Sequence, residues 1–206
     1  MIKLYDGYQA KKANFETLDV GGYILRILNA KVEKKPASEW LVFSFDIAEG
    51  EHKDFYNKRY KENTNEDKKW GGTFWLRIPD PNSEYFGRQK ADFENVMACI
   101  EESNNGYRFD GEEANLKGKF IGGVFGREEW EKNNGETAWS VKCRYFTDIA
   151  SIRSGDYKIP MDKGLKNKTV NNAPASNFTV LDDSADDLPF WLNENRPAPL
   201  LGGAVN

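Results

Sequence analysis

Apolar and polar residues alternate in three stretches of this chain, then apolar residues recur once at helical spacing, and alternation returns in two further stretches. Alternation predicts strands with one buried face, and recurrence every three or four residues predicts an amphipathic helix. The predicted strands span residues 23–34, 40–48, 73–78, 119–128 and 137–149, and the predicted helix carries residues 86–100. This β-β-β-α-β-β order restricts the chain to a mostly β fold with one main helix.

A five-stranded Greek-key barrel with a helix between its third and fourth strands is the OB-fold, a common scaffold for binding oligonucleotides. We therefore predict an OB-fold-like domain over residues 1–160, in which residues 1–20 form an N-terminal arm. A different α+β sheet is the competing architecture. The interval 50–72 is long for a connection in a compact domain, so it is expected to contain a short helix or to have a functional role.

Charge is distributed unevenly along the 206 residues, which include 29 Lys and Arg and 33 Asp and Glu. Residues 178–206 contain five of the acidic residues and one basic residue. Residues 1–177 therefore contain 28 acidic and 28 basic residues. The acidic composition therefore does not exclude a polyanionic ligand. It does argue against a strongly basic, histone-like DNA-binding protein.

The C-terminal segment contains a short acidic and apolar motif. Residues 163–177 are poor in apolar side chains, which predicts a flexible linker, and residues 161–206 are predicted to form this linker and an acidic tail. Such a tail is typical of a mobile tether that partner proteins bind through charge and one apolar pocket. A merely solubilising tail is the alternative. The motif consists of Asp186, Asp187, Leu188, Pro189 and Phe190.

Alternation also predicts which side chains point away from the core. Trp40 on the second predicted strand lies out of phase with its apolar neighbours, as do Trp75 and Arg77 on the third. A single-stranded nucleic-acid groove requires this mixture, because bases stack on aromatic rings while cations neutralise phosphates. We predict that Trp40 and Trp75 stack on bases and that Arg77 contacts phosphate. Core packing of these aromatic side chains is the alternative.

The fifth predicted strand and the interval 50–72 extend this candidate site. On the fifth strand, Lys142 and Arg144 are expected to face outward, and the alternating core residues are expected to be Trp139, Val141, Cys143 and Tyr145. The interval contributes Arg59 and Tyr60, although it also contains five acids. The predicted nucleic-acid-binding residues are thus Trp40, Trp75, Arg77, Lys142, Arg144, Arg59 and Tyr60.

Catalytic and metal sites have weak support in the sequence. His52 is the single histidine, which excludes multi-histidine metal sites and leaves one candidate histidine base. Cys99 and Cys143 lie in apolar patterns and form no metal-binding or redox motif, so buried thiols are predicted. Asp46 followed by Glu51-His52-Lys53 loosely resembles the acid–acid–lysine arrangement of metal-dependent nucleases. We predict no enzyme activity, no cofactor and no metal, and keep a metal-dependent nuclease as an alternative.

Several stretches carry a family resemblance. They are Tyr5-Asp6-Gly7-Tyr8, Phe45-Asp46-Ile47-Ala48-Glu49-Gly50, Phe125-Gly126-Arg127-Glu128-Glu129 and Ile152-Arg153-Ser154-Gly155-Asp156-Tyr157-Lys158-Ile159-Pro160. Through them the chain is similar to a bacteriophage single-stranded DNA-binding protein-like family encoded among phage replication and recombination genes. The motif Asp186-Asp187-Leu188-Pro189-Phe190 resembles the acidic, Pro-Phe-ended tail of bacterial single-stranded DNA-binding proteins. In those tails the phenylalanine is the last residue, whereas residues 191–206 follow it here.

The resemblance implies a phage protein that coats single-stranded DNA with little sequence preference during replication and recombination. It also implies that replication or recombination proteins are recruited through the tail, and it leaves homo-oligomerisation open. No stretch of the sequence has the length and apolar character of a membrane span, so we expect a protein of the host bacterial cytoplasm. A protein–protein adaptor or host-takeover factor on an OB scaffold is the alternative from another functional class.

Overall fold

In the computed structural model, residues 16–132 and 134–165 are described, together with Lys3, Asp6 and Tyr8. The strands are β1 (Gly21–Lys35), β2 (Ser38–Ile47), β3 (Thr73–Arg77), β4 (Phe120–Glu131) and β5 (Thr137–Thr147). The helices are α1 (Phe55–Glu62), α2 (Phe86–Ser103) and α3 (Ile149–Ser154), with a short 3₁₀ helix at Glu113–Leu116. The tail motif at residues 186–190, the predicted linker after residue 165 and most of the predicted N-terminal arm lie outside the described residues.

The strands form one antiparallel sheet in the order β3-β2-β1-β4-β5. The central strand β1 is long enough to pair with β2 along most of its length and with β4 over residues 21–26. The prediction of a mostly β fold with its main helix between the third and fourth strands is confirmed. The interval 50–72 contains the helix α1, which is the first of the two alternatives predicted for it. No helix in the described part of the chain is long and apolar enough to span a bilayer.

The hydrophobic core covers one face of the sheet. Leu41, Phe43, Phe45 and Ile47 of β2 are at most 2% exposed, as their alternation predicts. The apolar face of α2 packs into the same core, and its buried residues are Val96, Met97, Cys99 and Ile100. Leu18, which precedes β1, is also a core residue. Burial of these side chains supplies the main free energy that holds the helix on the sheet.

The two edge strands of the sheet meet through their side chains. The ring of Phe74 on β3 lies 4.2 Å from the ring of Phe146 on β5, measured between centroids. Phe146 is 2% exposed and also packs edge-on against Phe43 at 5.4 Å. The sheet therefore curves around its core until the first and last strands of its order are in contact.

Two predicted core residues of β5 lie elsewhere. Trp139 is 50% exposed, because β4 and β5 continue as a hairpin beyond the last pair of β1 with β4 and no core extends there. Tyr145 is half-buried outside the core cluster, and its hydroxyl donates to the carbonyl of Lys158 at 2.7 Å. A β-bulge causes the second error: Arg144 is the extra residue between two pairs of the ladder, so the alternation shifts and Phe146 takes the core position.

Helix α3 packs on the sheet face opposite the core, where β4 carries glycine. Asp148 caps this helix, since its carboxylate accepts from the backbone N–H of Ser151 at 2.8 Å and from the Ser151 hydroxyl at 2.6 Å. A Cβ added at Gly122 would lie 2.6 Å from Cγ1 of Ile152 and 2.7 Å from the carbonyl oxygen of Asp148. The close approach of α3 to the sheet therefore requires glycine at this position.

Substituting Gly122→Ala is expected to lower the free energy of unfolding by about 1–3 kcal/mol, because a backbone oxygen cannot rotate away from the new methyl group. Urea denaturation followed by circular dichroism measures this change. Gly87→Ala is the matched control, since a Cβ there meets nothing within 4 Å in the first turn of α2. The control should raise stability by about 0.4–1 kcal/mol, and a Gly122→Ala protein that is equally stabilised would contradict the packing argument.

Candidate nucleic-acid interface

Two tryptophans and two cations meet on the outer face of β2 and β3. Cross-strand pairing sets Trp40 beside Arg77 and Val42 beside Trp75, which places these side chains on the face opposite the core. The rings of Trp40 and Trp75 are arranged edge to face, with centroids 6.2 Å apart and an interplanar angle of 70°. We call Lys35, Trp40, Trp75 and Arg77 the tryptophan patch. Three of its four members are predicted site residues.

Both cations of the tryptophan patch lie against its rings. Lys35 Nζ is 4.3 Å from the centroid of Trp75 and 5.8 Å from that of Trp40. Arg77 Cζ is 5.3 Å from the centroid of Trp40, and its Nη2 donates to the carbonyl of Ala37 at 3.0 Å. Each cation–π contact at an exposed site stabilises the arrangement by about 0.5–1 kcal/mol. The patch thus combines aromatic surface with fixed positive charge.

The two rings differ in how much surface they present. Trp75 is 39% exposed and lies outside the core cluster, whereas Trp40 is half-buried. The indole N–H of Trp40 donates to Ser38 Oγ at 2.8 Å, which fixes that ring beside the β1–β2 turn. Trp75 therefore offers the larger surface for a stacked base, and Trp40 packs against it.

Sequence reasoning missed Lys35. This residue ends β1 and pairs with Ser38 across the turn, so the strands bring it to the tryptophans although it belongs to neither predicted site strand. A lysine at a strand end is usually a solvated residue, and its local sequence gives no other indication. Only the register of β1 with β2 reveals the contact.

Arg59 and Tyr60 belong to a second aromatic and basic cluster on α1. Tyr60 is 37% exposed, its ring lies 5.7 Å from that of Trp70, and Lys68 Nζ lies 4.6 Å from its centroid. Arg59 Cζ lies 5.4 Å from the ring of Phe55. Each of these two predicted residues therefore contacts an aromatic or cationic neighbour, and this cluster is separate from the tryptophan patch.

Lys142 and Arg144 make polar contacts along β4. Lys142 Nζ is 2.8 Å from a carboxylate oxygen of Glu128, and Nη1 of Arg144 donates to the carbonyl of Arg127 at 3.3 Å. Burial opposes ionisation of Glu128, but the neighbouring Lys142 and Lys163 ammonium groups outweigh it and hold the pKa of this carboxyl below its usual value. Glu128 therefore offsets part of the positive charge on this side of the sheet.

Asp46, the acid at the centre of the nuclease alternative, holds the start of α1. Its buried carboxylate accepts from the backbone N–H groups of Ile47 at 2.9 Å, Tyr56 at 2.9 Å and Asn57 at 3.0 Å. Burial raises the pKa of Asp46 although the three N–H groups act in the opposite direction. The donors from Tyr56 and Asn57 are unpaired helix-terminal groups, so Asp46 acts as a cap supplied by a neighbouring strand.

His52 and the two thiols have structural surroundings. Nδ1 of His52 is 2.6 Å from Oε1 of Glu16, and its ring lies edge-on to Tyr23 with centroids 5.9 Å apart. Burial raises the pKa of the Cys99 thiol to about 12 and also raises that of Cys143, which suppresses thiolate formation. Within the described ranges, no three His, Cys, Asp or Glu side chains are grouped so that they could hold a metal ion.

Comparison of the chain with protein-family models and with curated proteins gives no match. The inference of function consequently depends on the residues and geometry of this chain.

Proposed function

We propose that this protein binds single-stranded DNA with little sequence preference through the outer face of β2 and β3. The tryptophan patch carries the proposal, because the exposed Trp75 ring beside Lys35, and the Trp40 ring beside Arg77, suit bases and their adjoining phosphates. Every base has an aromatic face, so stacking of this kind tolerates any sequence. Trp75 and Trp40 stack on or border bases, while Lys35 and Arg77 neutralise phosphates.

The scaffold that we propose is an OB-fold-like Greek-key barrel. Its support is the strand order β3-β2-β1-β4-β5, the position of α2 between β3 and β4, and the contact of Phe74 with Phe146 between the two edge strands. In OB-folds the face of the second and third strands binds oligonucleotides. The tryptophan patch occupies the corresponding strands of this chain.

The remaining predicted residues take flanking roles in this proposal. The DNA strand on either side of the tryptophan patch is contacted by Arg59 and Tyr60 on α1 and by Lys142 and Arg144 on β5. The motif at residues 186–190 recruits phage replication or recombination proteins to the coated DNA. In this proposal the sheet surface binds DNA and a different segment of the chain binds proteins.

Fluorescence anisotropy with the full chain tests the proposed function. Labelled oligo-dT, its duplex and an RNA counterpart are titrated at two salt concentrations while tryptophan emission is recorded. We expect tight binding of the single strand with tryptophan quenching, and a binding constant that falls with salt at a slope of about −0.7 for each neutralised phosphate. Failure to bind the single strand at low salt would reject the proposal and favour the adaptor alternative.

A further inference from the structure

A cleft of about 500 Å³ opens between β1, β2, α1 and the start of β4. Trp70 and Phe120 form aromatic parts of its wall, and Arg26 and Lys53 place two cations in it. Phe120 is 37% exposed, and the indole N–H of Trp70 donates to the carbonyl of Phe45 at 3.1 Å, which fixes that ring. The cleft therefore repeats the combination of rings and cations that defines the tryptophan patch.

Arg26 is an exposed cation in the middle of the central strand. Its register partners are Asp46 on β2 and Phe120 on β4. The Asp46 carboxylate is buried and accepts three backbone N–H groups, whose partial positive charges offset part of its own charge. Asp54 also lines the cleft, so the two cations Arg26 and Lys53 face two carboxylates, of which only that of Asp54 is exposed. The two exposed cations can therefore contact phosphate, whereas the buried Asp46 carboxylate is held by its N–H donors.

The cleft and the tryptophan patch lie on the same face of the sheet. Along β2 the outward positions are Trp40, Val42, Ser44 and Asp46, and the pairing with β3 is uninterrupted from Trp40 to Ser44. Val42 lies beside Trp75, so the distance from Trp75 to the level of Asp46 is about 13 Å at roughly 3.3 Å per residue. That distance corresponds to about four bases at a stacked spacing of roughly 3.4 Å. One oligonucleotide can therefore reach both places.

We propose that this cleft is a second nucleotide-binding subsite for the same single strand. Arg26 and Lys53 hold phosphate, and Trp70 and Phe120 contact the base that enters the cleft. The hydroxyl-bearing pair Ser44 and Thr73 lies between the two subsites. The inference depends on the proposed function and deepens it, because it assigns the path of the strand from β3 across β2 towards β1 and α1.

The double substitution Arg26→Gln with Lys53→Gln tests the subsite in the full chain. Its affinity for oligo-dT is compared with that of the unmodified protein at several salt concentrations, using one length of about three nucleotides and one of about twelve. On the longer oligonucleotide, the slope of log K against log salt should become shallower by about 1.4, since each lost phosphate contact contributes about 0.7. On the shorter one the two proteins should differ much less, because three stacked nucleotides at roughly 3.4 Å each do not reach from one subsite to the other.

Lys90→Gln is the control, because Lys90 is exposed on α2 and its ion pair with Glu94 lies on the helix surface. Thermal unfolding followed by circular dichroism checks that the variants are folded. If the double variant has a lowered melting temperature, Lys53→Gln alone replaces it, and the expected change in slope is then about 0.7. An unchanged slope on the longer oligonucleotide, or equal losses on both lengths, would overturn the subsite. If the subsite is overturned but the unmodified protein still binds oligo-dT, the proposed function stands. If the unmodified protein binds neither length, the subsite and the proposed function are both rejected.

Discussion

Replacement of Trp75 by alanine is expected to weaken binding of oligo-dT by about 5- to 150-fold, which corresponds to the loss of one base–aromatic stack of about 1–3 kcal/mol. The ring is 39% exposed and lies outside the core cluster, so the variant should keep its fold. Anisotropy titration measures the affinity, and thermal unfolding by circular dichroism checks the fold. A folded variant with normal affinity would remove Trp75 from the interface.

Trp139→Ala is the matched control for this experiment. Trp139 is 50% exposed on β5 and pairs in register with Glu129, away from the strands that carry the tryptophan patch. Its removal deletes a similar area of exposed indole, so affinity should stay within about twofold of the unmodified protein, a change below roughly 0.5 kcal/mol. Equal losses in both variants would contradict the proposal that the tryptophan patch is the main stacking site, and would extend the interface from Lys142 and Arg144 along β5 to Trp139.

Asp46→Ala is expected to lower the free energy of unfolding by about 2–4 kcal/mol, because it leaves buried backbone N–H groups without an acceptor. The buried N–H groups of Ile47 and Tyr56 and the half-buried N–H of Asn57 bond to this carboxylate. Urea denaturation followed by circular dichroism and tryptophan emission measures the change. An unchanged denaturation midpoint would show that Asp46 does not hold α1.

Asp46→Asn separates the structural role from the catalytic alternative. The amide keeps one oxygen, which can replace Oδ1 as the acceptor for Ile47 and Tyr56, but its NH₂ group faces the N–H of Asn57. A smaller loss of stability than in Asp46→Ala is therefore expected. Magnesium-dependent DNA cleavage by the unmodified chain, abolished in a folded Asp46→Asn protein, would instead support the nuclease alternative.

Strong local periodicity explains which elements could be predicted. Leu41, Phe43, Phe45 and Ile47 alternate without interruption, so β2 and its buried face follow from sequence alone. The pattern of α2 is equally regular, so the helix and its position between β3 and β4 follow from sequence as well. The outward positions of Trp75 and Arg77 follow from the same rule applied to β3.

Positions that depend on neighbouring strands could not be predicted in this way. The bulge at Arg144 moves Tyr145 out of the core and Phe146 into it, and a bulge is set by pairing with β4 rather than by local composition. Trp139 has the apolar character of a core residue, yet the sheet that would cover it ends earlier. The spacing of Asp46 to Glu51-His52-Lys53 suggested a catalytic acid, whereas its role at α1 depends on Tyr56 and Asn57, which only the fold brings to it.

The amino-acid sequence by itself determined the number and order of the main strands, the position of the long helix between the third and fourth strands, and the segregation of acidic charge near the C-terminus. These features depend on side-chain patterns within short windows. Only the tertiary structure decided that Lys35 joins Trp40 and Trp75, and that Arg26 lies between Asp46 and Phe120 beside a cleft. The physical reason is that strand register is fixed by long-range burial and hydrogen bonding, which bring together residues that no local pattern connects.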